Sequence, residues 1–147
     1  METGVIAALS ALAGVTVSGG LQILKDHFER RAKGTSIRLQ KLEELADRLY
    51  QVRESLFATL EAHPTDQERI SALAAARASA NRTRSLSLLY FPGLRQRTDA
   101  FQQAVVAFSL AMQDNNKLPL AAQALRNAAE ALEAGIADMA AAILADG

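Results

Sequence analysis

The sequence predicts an all-α protein, an N-terminal transmembrane helix followed by an antiparallel four-helix bundle, and three observations carry that expectation. Thirty of the 147 residues are Ala, against eight Gly and three Pro, a composition that favours helix over strand. Residues 3–24 contain no charged side chain, and as a helix they would span about 30 Å, close to the hydrocarbon thickness of a bilayer. Beyond Gly34 the apolar residues recur at three- and four-residue spacing, with no period-two stretch of useful length. The chain accordingly divides into residues 1–33, a membrane helix with a basic junction, and residues 34–147, a cytoplasmic helical bundle.

The first segment, TGVIAALSALAGVTVSGGLQIL, is followed at once by Lys25, Arg30, Arg31 and Lys33, whereas the other flank carries only Glu2 and the amino terminus. The positive-inside rule then puts the N-terminus outside and the bundle in the cytoplasm, as a single-pass protein of the inner membrane. Two other readings stand beside this one. A cleaved signal peptide would need a basic n-region, which METG lacks. A soluble oligomer that buries the segment between its subunits suits its Ala/Gly/Ser-rich character.

Within the segment Ser10, Gly14, Ser18 and Gln22 recur every four residues. Gly14 and Ser18 form a small-xxx-small pair that lets two helices approach closely in lipid. The same residues would line a narrow polar path if several copies formed a ring. A four-residue repeat drifts by about 40° per step on a straight helix, so one face holds all of them only with supercoiling. The bases Lys25, Arg30, Arg31 and Lys33, continued by Arg38 and Lys41, suit contact with anionic lipid headgroups, with Asp26 and Glu29 diluting the effect.

In the second segment Leu42, Leu45, Leu49, Val52 and Leu56 form a 3-4-3-4 seam for helix-on-helix packing. Ser36 is a candidate N-cap, and His63-Pro64-Thr65-Asp66 marks the next boundary, with Thr65 or Asp66 as cap. A second helix over about 66–90 offers Ile70, Leu73, Ala76, Ala80, Leu86 and Leu89 for burial, and stops where Pro92 disfavours a helical Phe91. Leu94, Phe101, Val105, Phe108 and Met112 share a face up to the loop Gln113-Asp114-Asn115-Asn116. A last helix after Pro119 presents Leu125, Leu132, Ile136, Met139 and Ile143.

Charge is balanced overall, 16 basic against 16 acidic residues, yet segregated. Residues 63–98 carry six arginines against Asp66 and Glu68, and residues 99–147 carry six acids against Lys117 and Arg126. Arg77, Arg82, Arg84, Arg95 and Arg97 therefore invite either acidic residues of the same chain or an external acidic partner, phosphate ligand or RNA. Tyr90 and Phe91, inside this block, offer surfaces for base stacking.

Chemistry of other kinds finds few parts. The chain has no Cys and two His, which excludes thiolate metal sites and a Cys nucleophile. Neither His27 nor His63 has a second His four residues on, and no phosphate-loop, dinucleotide or nucleophile-elbow motif occurs. Glu43, Glu44 and Glu54 read as solvated faces of the seam helix. No enzyme, cofactor or metal is expected.

Leu42-Glu43-Glu44-Leu45…Leu49-Tyr50 behind a hydrophobic N-terminus, and Leu86-Ser87-Leu88-Leu89-Tyr90-Phe91-Pro92-Gly93-Leu94, resemble a loose group of small bacterial single-pass membrane proteins with a cytoplasmic helical bundle. Gly93 stands where that pattern usually has an acid. Some proteins of this kind accompany anti-phage systems, including CRISPR effectors with pore-forming membrane partners. The resemblance implies a self-assembling membrane effector or accessory protein and transfers no functional residue. Membrane lipids, further copies of the chain and a protein partner are the expected partners. A soluble homo-oligomeric interaction module, and a phosphate or RNA sensor built on the Arg block, are the alternatives.

Overall fold

A computed structural model describes residues 37–60, 66–114 and 116–145. They form four helices and no strand: α1 (Ile37–Leu60), α2 (Asp66–Tyr90), α3 (Arg95–Ala111) and α4 (Leu118–Ala145), with a 3₁₀ turn (Pro92–Leu94) between α2 and α3. The expected all-α class therefore holds for these residues. None of the described helices is long and apolar enough to cross a membrane, and residues 1–33, to which the membrane helix and its basic junction were assigned, lie outside the described residues.

Each helix packs on its neighbours in chain order, and α4 returns to α1; the diagonal pairs α1–α3 and α2–α4 make no backbone contact. That is the pattern of a closed four-helix ring, in which short connections make successive helices antiparallel.

The seam anticipated in α1 is the core. Leu42, Leu45, Leu49, Val52 and Leu56 are all buried, extended by Leu39 and Leu60. From α4 come Leu118, Ala122, Leu125, Ala129, Leu132, Ile136 and Ala140 at the same 3-4 spacing, and from α3 Phe101, Val105 and Phe108. Burying side chains of this size contributes about 1.5–3 kcal/mol each.

α2 is built differently. Its inward residues are mostly small, Ala76, Ala80, Thr83 and Ser87, with Leu86 the one large buried side chain, so its backbone can approach its neighbours closely. Two residues expected to be buried are not: Ile70 and Leu89 are 60% and 72% exposed. At about 100° per residue Leu89 lies opposite Ala80, and Ile70 lies about 160° from Leu86, so both fall outside the arc that Ala76, Ala80, Thr83, Leu86 and Ser87 turn inward.

The junctions follow local rules. Phe91, next to Pro92, leaves the helical region at φ −136° and ψ 68°, while its N–H still donates to Ser87 O at 2.8 Å. One 3₁₀ turn later Leu94 N–H bonds Phe91 O at 2.9 Å and α3 begins. At the other end of α3 the Asp114 side chain accepts Asn116 N–H at 3.0 Å. Its carbonyl accepts from Lys117 and Leu118 at 3.0 and 3.1 Å. The last helix was expected after Pro119 but starts at Leu118, one residue before it, because a first-turn Pro forfeits no hydrogen bond.

Candidate functional site

Of the residues singled out from the sequence, Ser10, Gly14, Ser18, Gln22, Lys25, Arg30, Arg31 and Lys33 lie outside the described residues. The five arginines lie within them, Arg77 midway along α2 and Arg82, Arg84, Arg95 and Arg97 towards the α2–α3 corner, and their surroundings differ.

Arg82 donates through both Nε and Nη2 to Glu44 Oε1, at 3.2 and 3.0 Å, joining α2 to α1. The other oxygen of Glu44 accepts Lys41 Nζ at 2.9 Å. The hydrogen bond from Lys41, then that from Arg82 and the two positive charges, hold the Glu44 carboxyl below its ordinary value against the opposing effect of its desolvation. Glu44 thus leaves the solvated role expected for it. Helix geometry puts it beside the seam rather than opposite, within reach of a long side chain from α2.

Arg84 Nε donates to Asp99 Oδ1 at 2.7 Å, joining α2 to α3. Arg95 approaches the second oxygen of Asp99 only to 3.9 Å. Arg97 lies across Gly135 of α4: a Cβ built there would collide with the Arg97 guanidinium and stand 2.8 Å from Leu94 Cδ2. Gly135 is buried, so the close approach of the α3 start to α4 depends on its missing side chain. Arg77 is exposed, and among the described residues it has no ion-pair partner.

The aromatic pair is also committed. Phe91 is fully buried, with the Arg38 guanidinium carbon 5.9 Å from its ring centroid. Tyr90 is half-buried under Lys41 Nζ, 5.7 Å from the ring centroid. Phe91 therefore presents no stacking platform, and these cation–π contacts clasp the first turn of α1 to the α2–α3 corner.

Between α2 and α3 runs a polar ladder that the sequence reading missed. Asn81 accepts a hydrogen bond from Gln102, and Arg84 meets Asp99 as above. Buried Ser87 and Thr98 pair at 2.8 Å. Thr98 spends its only hydroxyl proton on Arg95 O at 3.0 Å, so Ser87 is the donor within the pair. None of these pairs has a local sequence signature, since the partners stand 11 to 21 residues apart.

Among the described residues no group of three or more His, Cys, Asp or Glu could hold a metal. The cleft between α1, α3 and α4, lined by Leu49, Val52, Arg53, Leu56, Phe101, Leu125 and Ala129, is apolar and has room for about one water molecule. What the arrangement offers is a surface, basic and partly apolar, at the corner of a ring of helices. The chain matches no protein-family model, no curated protein and no solved structure.

Proposed function

We propose that the chain is a non-enzymatic, membrane-anchored helical protein that assembles with copies of itself and acts on the membrane as a pore-forming or membrane-perturbing effector or accessory. The observation that carries this reading is the uncharged run of residues 3–24 followed directly by Lys25, Arg30, Arg31 and Lys33. Length, absence of charge and a one-sided basic flank are together the requirements of a single oriented span. Gly14 and Ser18 supply the close-packing face for self-assembly, and Ser10 and Gln22 extend it with groups able to line a path. The bundle supplies the cytoplasmic body that a partner protein would engage.

Pairing of Arg82 with Glu44 and of Arg84 with Asp99 weighs against a phosphate or RNA sensor, because a ligand would have to displace carboxylates already in place. The soluble-module alternative makes the opposite prediction about detergent. Full-length protein is expected to sediment with membranes, to leave them with detergent and not with salt, and to size in detergent above a monomer. Retention in plain buffer overturns the anchor; a detergent-solubilised monomer overturns the assembly. For a pore, Gly14→Leu and Ser18→Leu are expected to abolish ion flux in liposomes, and unchanged flux removes them from the path.

A further inference from the structure

We infer that the end of the bundle formed by the start of α1 and the α2–α3 corner docks on an anionic lipid surface, so that the bundle stands on the membrane instead of hanging free below it. This rests on the membrane-anchored reading above and adds a surface and its ligand class.

Three observations converge on that end. The cation–π contacts of Arg38 with Phe91 and of Lys41 with Tyr90 put the first turn of α1 beside the corner. There Ile37, Leu88 and Leu89 are 60%, 44% and 72% exposed, large aliphatic side chains suited to the boundary between headgroups and acyl chains. The same end carries Arg38 and, at the start of α3, Arg95 and Arg97. Arg38 and Arg97 have no carboxylate partner among the described residues, and Asp99, 3.9 Å from Arg95, is already held by Arg84 at 2.7 Å. Arg38 and Arg97 are thus left to attract acidic headgroups, with exposed Asp138 of α4 opposing them.

Connectivity selects this end over the other. Ile37 follows Leu24, the last residue of the uncharged run, by 13 positions, a reach of at most about 45 Å when fully extended. The start of α1 is therefore the end of the bundle to which an inserted residue 3–24 stretch is tethered. The far end also exposes apolar side chains, Ile70, Leu110 and Leu120, but α2 alone holds it about 35 Å away. Of the two cations there, Arg69 and Lys117, Lys117 lies 3.6 Å from Asp114.

The native chain lacks Cys, so single probes can be placed by Leu89→Cys and, as the distant control, Leu120→Cys. Full-length protein carrying a polarity-sensitive dye at either position is reconstituted in zwitterionic vesicles, in vesicles with roughly 30% phosphatidylglycerol, and in detergent micelles, with a quencher on the lipid headgroup. Docking predicts a blue-shifted, quenched probe at position 89 and neither change at 120. The effect should grow with phosphatidylglycerol, and that increment should be lost in Arg38→Gln/Arg97→Gln at unchanged helix content. Equal signals at both positions in protein that floats with the vesicles overturn docking and leave the anchor standing. A blue shift at 89 that persists in micelles without headgroup quenching assigns the surface to a second copy and overturns docking. Protein that does not float with vesicles overturns both.

Discussion

α2 meets its two neighbours in different chemical languages. Towards α1 it faces the continuous aliphatic seam of Leu42, Leu45, Leu49 and Val52, with charged contacts at its edge, where Arg82 reaches Glu44 and Lys41 lies over the Tyr90 ring. Towards α3 the contact is a ladder of polar pairs, one of them the buried Ser87–Thr98 hydrogen bond. Apolar burial is non-directional and accumulates with area, so the first seam supplies most of the stability. A hydrogen bond has a geometry and a cost when unmet, so the second seam contributes less net energy but fixes which residues stand opposite one another.

That contrast can be broken from its strong side first. Leu45 is fully buried, and Leu45→Ala is expected to cost about 3 kcal/mol through lost transfer energy and the remaining cavity. Urea titration followed by helical circular dichroism measures it. A loss below about 1 kcal/mol would show that the α1 seam is not the principal support.

Ser87→Ala comes next. Thr98 already gives its proton to Arg95 O, so the substitution removes the donor that its hydroxyl oxygen accepts from, for a loss of about 1–2 kcal/mol. In Ser87→Ala/Thr98→Val both hydroxyls of the pair are gone, and the loss should fall short of the sum of the singles. Strict additivity in this double-mutant cycle would mean that the ladder does not couple the helices.

Smallest of all is the edge of the apolar seam. The folded state holds Glu44 below its ordinary value of 4.5, chiefly through the Lys41 hydrogen bond. Its contribution is therefore full above the unfolded-state value and declines as pH falls through the lowered folded one. Glu44→Gln should cost no more than about 1 kcal/mol at neutral pH. The gap between the two proteins should close as acid protonates Glu44, and a gap that widened below pH ~4 would contradict the assigned sign.

Much of the bundle was legible in the chain. The 3-4 spacing of α1 marked five core residues that the fold buries, and Pro92 marked where α2 ends, because periodicity and proline stereochemistry act within a few residues. Ile70 and Leu89 were misjudged: counting apolar residues along α2 gives the supply of hydrophobic side chains, not the face that the neighbours cover. At the candidate site the five arginines stood out as a cluster, but their separate fates did not. Glu44 lies 38 residues from Arg82 and Asp99 lies 15 from Arg84, and no local rule connects such pairs. Gly135 gave no signal at all, since only the approach of Arg97 and Leu94 makes its missing side chain matter.

The amino-acid sequence by itself determined where helices form and stop, which stripe of α1 turns inward, and the uncharged and basic character of the first 33 residues. Each of these follows from neighbours no more than a turn or two away. Tertiary structure alone decided that Arg82 meets Glu44 and Arg84 meets Asp99, that Phe91 is core, and that α1 begins beside the α2–α3 corner. Those outcomes depend on how helices are ordered around a ring, and that order is settled by the fit of whole faces against one another.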